Sequence, residues 1–222
     1  MEGGSALKNV RVWFEKKGSV RYISHLDLTR CMSRGLKLSG LPVWYTEGFN
    51  PRIYMTYAMP LSLGVCGERE CMDIRLTEDC PLDQVAETVN AHLPRDLRVL
   101  GATEPIDKFE DIQFGEYEIA LETDDPDALE QQLQNLLARE TILVLKHTKK
   151  GEKEFDIKPD FSGVQWTKED PGLVLSLKLP CSMNGSTNPA LLLEALKRYE
   201  NVEPYCSITR KRLLKKDFSE LR

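Results

Sequence analysis

Hydrophobic residues recur along the chain with two periods, one typical of strands and the other typical of helices. Between residues 10 and 14 every second side chain is apolar, which predicts a β-strand near the start of the chain. Leu28, Met32 and Leu36 then recur at every fourth position behind Ser24, which is a favoured type of helix N-cap. The chain is therefore expected to open with a strand followed by an amphipathic helix.

Similar patterns continue through the first hundred residues. Apolar segments predict strands at 42–46, 71–77 and 97–103, and Pro81 is placed to begin a second helix because proline suits the first helical position. The resulting order of strand, helix, strand, strand, helix, strand is that of the ferredoxin-like (βαββαβ) arrangement.

The second hundred residues repeat this order. Strands are predicted at residues 116–122, 141–147, 172–180 and 205–211, with helices that begin at Asp125–Pro126 and Asn188–Pro189. The sequence therefore predicts an α+β fold made of two tandem ferredoxin-like halves with antiparallel sheets.

The boundary between the two halves is expected in the acidic linker at residues 104–114. We assign 1–108 to an N-terminal half that contains a basic first helix, and 109–222 to a C-terminal half with a basic tail. Each half is expected to insert extra residues between its two central strands, at 47–70 in the first half and at 148–171 in the second.

Charge is distributed unevenly along a chain whose net charge is −5. Residues 1–60 carry nine Lys and Arg against four Asp and Glu, and residues 207–222 carry six against two, so the segment between them is strongly acidic. Such asymmetry can create a local positive face that the net charge conceals. The first 60 residues are therefore the expected position of an anion-binding surface, whereas the basic tail is interpreted as solvated.

The composition favours a cytoplasmic protein without a membrane partner. No segment approaches the ~20 consecutive apolar residues that a transmembrane helix needs, and the N-terminus lacks the pattern of a secretory signal. The six cysteines are interpreted as free thiols, because their spacing matches no zinc motif that supplies paired ligands. We therefore expect neither a bound metal nor another cofactor.

Three cations follow one another along the first predicted helix. Arg30, Arg34 and Lys37 are spaced by four and three residues, which places them on one helical face. Together with Arg21 and Arg52 they could neutralise several phosphates of a nucleic acid or contact an acidic partner. The alternative is an ordinary solvated helix face.

His25 is the candidate for acid–base chemistry. It lies in the first turn of the predicted helix, where the positive end of the helix dipole would lower its pKa and favour the neutral imidazole. A neutral imidazole could act as a general base toward a ribose 2′-hydroxyl, assisted by Asp27 or Arg21. The alternative is that His25 only caps the helix or binds a loop carbonyl.

A rigid turn is predicted at GFNP (48–51). The side chain of Asn50 can hydrogen-bond to the nearby backbone, and the following proline restricts the chain. Phe49, Tyr54 and Tyr57 could stack on RNA bases if they are exposed. The alternative is that these aromatic residues pack against a core, for which strands are also enriched.

A second candidate anion site precedes the last predicted helix. Gly185, Ser186 and Thr187 are small residues whose backbone amides could hold a phosphate at the start of a helix, or could simply form a cap. The segment lacks the lysine of a nucleotide-binding P-loop, so ATP is not the expected ligand.

Several motifs resemble those of a known bacterial family, the radical-SAM-linked (radical-SAM-associated) domain of unknown function. The matching segments are SHLDLTR at 24–30, GFNPR at 48–52, AMPLSLGV at 58–65, DIKPDF at 156–161 and GSTNP at 185–189. These segments span most of the chain and occur in the order of the family pattern.

The resemblance implies a role beside a radical SAM enzyme, because family members are commonly fused to, or encoded beside, such a protein. This chain has no C-x3-C-x2-C cluster to hold the iron–sulfur centre, so it is not expected to start radical chemistry itself. Arg210 matches an arginine that the resemblance leads us to expect near the C-terminus, although the residue after it is not small. With His25 and Asn50, it is counted among the residues expected to bind nucleic acid or a partner at the surface. The predicted architecture is also similar to CRISPR-type RNA-processing endoribonucleases, a similarity of fold alone that does not transfer function.

Three hypotheses about function follow from these observations. The first is a non-catalytic accessory or substrate-binding domain that works with a radical SAM enzyme and binds structured RNA. The second is a metal-independent RNA-processing endoribonuclease that uses His25. The third is a protein-interaction adaptor whose acidic middle segment meets a basic partner.

Overall fold

The computed structural model describes residues 7–148 and 151–222 as a mixed α+β fold built on a large, mostly antiparallel sheet. The strands are β1 (Lys8–Lys16), β2 (Met55–Tyr57), β3 (Cys66–Leu76), β4 (Leu97–Thr103), β5 (Ile112–Glu122), β6 (Leu143–Thr148), β7 (Gly151–Asp156), β8 (Gln165–Glu169), β9 (Gly172–Ser182), β10 (Gly185–Ser186) and β11 (Tyr205–Lys215). The helices are α1 (His25–Leu38), α2 (Val85–Asn90), α3 (Pro126–Leu137), α4 (Lys158–Phe161) and α5 (Leu191–Glu200).

One sheet runs through both parts of the described chain. Its strand order is β10-β9-β5-β11-β3-β1-β4, with β2 added to β3 and β8 added to β9. The pairings are antiparallel except where β11 meets β3, with Thr209 opposite Cys66 and Arg210 opposite Gly67. This short parallel contact joins the strands of the predicted N-terminal half to those of the predicted C-terminal half, so the sheet is continuous across the proposed boundary.

The edge strands differ from those predicted. The predicted strand at 141–147 forms β6, but it pairs with β7 in a separate two-stranded sheet, and β8 takes the place next to β9. In the first part only Val43 of the predicted strand 42–46 bridges to β3, and β2 completes that pairing. The pattern of apolar residues predicts an extended segment but does not specify which strand it will pair with.

The helices cover one face of the sheet and form two apolar clusters. Leu28, Met32 and Leu36 of α1 pack with Val10, Val12 and Phe14 of β1, as their spacing predicts. Leu129 and Leu133 of α3 and Leu192 and Leu196 of α5 belong to the second cluster, together with apolar residues of β5 and β9. Each fully buried side chain of this size contributes roughly 1.5–3 kcal/mol relative to an exposed one.

Candidate anion-binding groove

The first turn of α1 is fixed by its N-cap. The Ser24 hydroxyl oxygen accepts a hydrogen bond from the Asp27 amide at 3.1 Å, and the same hydroxyl donates to the Asp27 carboxylate at 2.7 Å. Asp27 also forms an exposed ion pair with Arg30 at 3.0 Å. This cap confirms the predicted helix start and sets the direction in which the following cations project.

A groove of about 770 Å³ lies between α1 and the loop at residues 45–54. Its lining residues are Leu26, Thr29, Arg30, Ser33, Arg34 and Lys37 on the helix side, and Tyr45, Thr46, Pro51, Arg52, Ile53, Tyr54 and Met55 on the loop side. Four of the cations predicted to form a binding surface are therefore together in one groove.

The groove is electrostatically positive, since none of its lining residues is acidic. Among the described residues Arg30 pairs with Asp27 alone, and both side chains are more than half exposed, so this ion pair is weak and can be exchanged for another anion. Within the described chain, Arg34, Lys37 and Arg52 have no carboxylate within ion-pair distance. Three cations are therefore available to a ligand without breaking an internal contact.

The loop wall of the groove is held by its own backbone. The Thr46 amide donates to the Arg52 carbonyl at 2.8 Å, and the Arg52 amide donates to the Thr46 hydroxyl at 3.1 Å. Gly48 adopts a φ of +115°, in the left-handed region that favours glycine, which lets the chain reverse between these bonds. Arg52 is therefore presented from a closed loop.

Phe49 and Asn50 lie at the tip of this loop. The Phe49 ring is fully exposed, with no packing role in the described part of the chain. The Asn50 side chain is exposed and forms no hydrogen bond with any residue that the structure describes, so the Asx turn predicted for it is absent. Both side chains are exposed, and neither lines the groove.

Tyr54 lines the groove and packs against Arg75 and Trp44. The Arg75 guanidinium lies 4.2 Å from the centroid of the Tyr54 ring and 5.4 Å from that of Trp44. The Trp44 and Tyr54 rings are themselves 5.8 Å apart. Tyr45 lines the same groove and is 40% exposed. It lies in a segment predicted as a strand, and the alternation of apolar and polar residues there did not indicate that Tyr45 would belong to a site.

His25 is outside the groove, in the first turn of α1. Its ring meets the Tyr57 ring edge-on at 4.8 Å, and Tyr57 in turn packs edge-on against Phe14 at 6.0 Å. Burial first, and then the nearby charge of Lys16, lower the pKa of His25 below its ordinary value. The direction agrees with the prediction, but burial and Lys16 are the causes. Tyr57 is packed between these residues, so it is not an exposed base-stacking ring.

Lys16 is a buried cation that the sequence analysis missed. Its side chain is 1% exposed, and its ammonium donates to the carbonyls of Arg21 at 3.3 Å and Ile23 at 3.4 Å. No carboxylate lies within ion-pair distance of it in residues 7–148 and 151–222, and burial lowers its pKa. The sequence did offer one indication that Lys16 is buried: it lies two residues after Phe14, on the same face of β1.

Arg21 lies apart from the groove. Its guanidinium donates to the Tyr22 hydroxyl at 2.7 Å and stacks on the Tyr22 ring at 4.7 Å. Its carbonyl accepts from the Gly64 amide at 2.9 Å. Hydrogen bonds to Tyr205 and then to Tyr22 raise the pKa of Arg21.

Arg210 is in the interior and does not belong to the surface predicted for it. Its guanidinium is 2% exposed and makes two hydrogen bonds to the Glu70 carboxylate, with a third to the Met59 carbonyl at 2.7 Å. Burial acts to lower the pKa of Arg210, and the Glu70 charge more than offsets this, so the pKa lies above its ordinary value. All of these contacts are internal to the protein.

The segment Gly185–Thr187 does not form a phosphate cradle in this structure. The Thr187 amide donates to the Pro180 carbonyl at 2.9 Å, and the Thr187 hydroxyl donates to Asp160 at 2.5 Å. The cavity beside Ser186, Thr187 and Arg210 is about 30 Å³, which suits one water molecule but is too small for a phosphate.

The fold and the site together define a class of protein: an α+β domain with a large, mostly antiparallel sheet and a cationic groove beside its first helix. Residues 9–189 match the model of a family described as "Uncharacterized protein conserved in bacteria (DUF2344)". The match covers most of the chain, and the chain belongs to this family.

None of the curated proteins compared with the chain matches it. One matching solved structure is a crystal structure of a protein assigned as a glycine cleavage system transcriptional repressor, with 12% identity and a TM-score of 0.26. The match covers 93% of this chain and 100% of that one, but so low a score supports no conclusion about fold or function. In the described part of the chain, no helix is long and apolar enough to cross a bilayer.

Proposed function

We propose that this protein is a non-catalytic binding domain that holds structured RNA through the groove beside α1, for modification by a radical SAM enzyme. The observation that carries the proposal is the groove itself, in which Arg30, Arg34 and Lys37 face Arg52 and no lining residue is acidic. A surface with this composition attracts a polyanion, and each phosphate it neutralises adds to a salt-dependent affinity.

The aromatic residues of the same groove favour RNA over other polyanions. Tyr45 and Tyr54 line the groove beside the cations, and Phe49 is exposed in the loop at 45–54 that forms one wall of the groove. Proteins recognise single-stranded loops in structured RNA by stacking unpaired bases on such rings, while cations follow the phosphates. We therefore propose an unpaired loop, presented by a folded RNA, as the segment that enters the groove.

Two of the segments that resemble the radical-SAM-linked family supply opposite walls of the groove. Leu26, Thr29 and Arg30 come from the SHLDLTR segment, and Pro51 and Arg52 come from the GFNPR segment. This coincidence supports a shared role for the two motifs in binding. The association with a radical SAM enzyme rests on the resemblance of those motifs.

We interpret the architecture as two ferredoxin-like halves. Among β1–β4 the antiparallel order is β4-β1-β3-β2, and among the strands from β5 onward it is β11-β5-β9-β8. In this interpretation β2 and β8 are the equivalent edge strands. The groove then lies entirely in the first half, with a proposed boundary between residues 108 and 109.

An RNA-cleaving enzyme is the second candidate function. His25 has a lowered pKa, which favours the neutral imidazole that a general base requires, and its ring packs edge-on against that of Tyr57. His25 does not line the groove that carries the available cations, so we favour binding without catalysis. An adaptor role, based on the acidic middle segment, is the third candidate.

A binding experiment with a labelled RNA hairpin that has a long unpaired loop tests the proposal. The Arg34→Glu/Arg52→Glu variant should lose affinity by roughly tenfold or more, because two charge-assisted contacts become repulsive. The matched control is Arg95→Glu/Lys216→Glu, which reverses two exposed cations that do not line the groove. Equal losses in the two variants, or no RNA binding by the wild type, would refute the proposal.

Two further assays separate the alternatives. Cleavage of the hairpin without added metal that disappears in His25→Ala would favour the enzyme. Co-purification with a radical SAM protein from native cells, in the absence of any RNA affinity, would favour the adaptor.

A further inference from the structure

A second cavity, of about 520 Å³, lies on the C-terminal part of the sheet and shares no residue with the groove. It is bounded by the segment from α4 to β8, by β5 and β9, and by the turn after β11. Its lining includes Phe114, Glu116, Asp160, Lys178 and Phe218. Its size is within the range of about 300–1,000 Å³ that is typical of small-molecule sites.

Phe218 forms one wall of this cavity in a strained conformation. Its φ of +62° is in the left-handed region, which is unfavourable for a residue with a bulky side chain. The turn is held by the Phe218 amide, which donates to the Lys215 carbonyl at 3.0 Å, and by the Lys215 amide, which donates to the Ser219 carbonyl at 2.9 Å. Strain of this kind is concentrated at functional sites.

The strained turn leaves the Phe218 ring half exposed, so burial of this ring contributes little to the stability of the fold. The Phe218 ring is 50% exposed and lies 4.8 Å from the Phe114 ring, at an interplanar angle of 39°. With Pro159 and Pro180 these two rings form an apolar surface that is open to the cavity. A flat ring is the ligand shape that such a surface fits, since offset stacking favours aromatic partners.

Lys178 gives the cavity an available positive charge. Its ammonium lies 4.9 Å from the centroid of the Phe218 ring, and it has no ion-pair partner among the residues that the structure describes. Glu116, its cross-strand neighbour, is instead bound by Arg212. Asp160 accepts a hydrogen bond from Thr187 at 2.5 Å. Of the charged residues that line the cavity, Lys178 is the one without an internal contact to a charged or hydroxyl group.

Two neutral polar groups are also available. Ser176 and Gln165 line the cavity on neighbouring strands, which pair directly at these two residues. Neither side chain forms a hydrogen bond within the described ranges, and both are exposed. They can therefore orient a ligand without loss of an internal bond.

We propose that this cavity binds a planar aromatic anion, with its ring against Phe114 and Phe218 and its anionic group at Lys178. The site is independent of the RNA groove, so either proposal can fail without the other.

Fluorescence titration with 8-anilinonaphthalene-1-sulfonate tests this inference. The neutral comparison probe is N-phenyl-1-naphthylamine, which has the same ring system without the sulfonate. The sulfonate probe should bind saturably at one site, and Lys178→Gln should weaken it by about tenfold, as expected for loss of a charge-assisted contact. The same variant should leave the neutral probe unchanged, and Lys216→Gln, in the nearby turn but outside the cavity, should leave both unchanged.

Phe218→Gly supplies the second variant, because glycine accepts the left-handed backbone and the protein should remain folded. It should weaken both probes while the unfolding midpoint stays the same or rises. The inference is overturned if the sulfonate probe shows no saturable binding, or if Lys178→Gln and Phe218→Gly bind it as the wild type does. Near-UV circular dichroism of each variant excludes probe binding to a loosened core.

Discussion

Arg210 and Glu70 form a bidentate ion pair in the interior, although they are 140 positions apart in the sequence. The Nε–Oε1 and Nη2–Oε2 distances are 2.8 and 2.6 Å, and each side chain is 2% exposed. The pair lies where β11 meets β3, with Arg210 opposite Gly67. It therefore connects the two parts of the sheet at their short parallel junction.

Removal of one partner should be strongly destabilising, because the other charge then remains buried without compensation. We expect Glu70→Leu or Arg210→Met to lower the free energy of unfolding by about 3–5 kcal/mol. The double variant should lose much less than the sum of the two, since no unpaired charge is left. Urea denaturation of the four proteins measures the coupling, and additive losses would contradict a shared role.

Gly172 should tolerate no side chain, because a Cβ there would lie 1.9 Å from the Leu121 carbonyl oxygen of the paired strand. Gly172→Ala should cost about 1–3 kcal/mol in unfolding free energy, the range of overpacked sites. Gly101→Ala is the control, since a Cβ at Gly101 meets nothing within 4 Å. Thermal unfolding of the two variants measures the difference. Equal shifts of the unfolding midpoint would show that β5 and β9 are not too close for a side chain at position 172.

His25 should make stability depend on pH in the acidic range. Its pKa in the folded protein is below the ordinary value of 6.5, so the unfolded chain takes up the proton first as the pH falls. The contribution of neutral His25 to the free energy of unfolding is therefore fully present above pH 6.5. It is lost as the pH falls from 6.5 toward the pKa of His25 in the folded protein. His25→Gln should remove this part of the pH dependence.

The contribution of Lys16 can be measured separately. Burial remains when Lys16→Met removes the neighbouring charge, so the pKa of His25 should rise only part of the way to 6.5. A titration of the His25 ring signals by NMR gives the midpoint directly. An unchanged midpoint in the variant would show that the Lys16 charge does not act on His25.

Phe49 should matter for binding but not for folding. Its ring is fully exposed, so Phe49→Ala should leave the unfolding midpoint unchanged. In RNA binding the variant should lose about 1–3 kcal/mol if the ring stacks on a base. Phe49→Tyr keeps a flat ring and should restore the affinity. An affinity that Phe49→Ala leaves unchanged would exclude this residue from the interface.

Local features of the fold were predictable, but strand partners were not. The four-residue spacing of Leu28, Met32 and Leu36 and the Ser24 cap predict α1 correctly, because helix periodicity and capping depend on neighbouring residues. The place of β8 beside β9 was missed, since its residues are mostly exposed and it lacks an apolar alternation. Long-range pairing of this kind depends on contacts that short patterns do not encode.

The candidate site was predictable in part for similar reasons. Arg30, Arg34 and Lys37 share a helix face, so their spacing alone brings them together, and Arg52 follows a turn that the sequence also indicates. Arg210 was wrongly expected at the surface, because it belongs to a basic tail and such tails are usually solvated. Its buried partner Glu70 is distant in sequence, so their pairing could not be predicted. Lys16 was missed because lysine is rarely buried without a carboxylate.

The salt dependence of RNA binding tests the central claim most directly. For the unpaired loop of a hairpin, the logarithm of the association constant should fall linearly with the logarithm of salt concentration, by roughly 0.7 per phosphate contact. Arg34→Gln/Arg52→Gln should reduce the magnitude of this slope by about 1.4, as expected for two lost contacts, while Arg95→Gln/Lys216→Gln should leave it unchanged. An identical slope in the groove variant and the wild type would contradict a role for the groove in binding RNA.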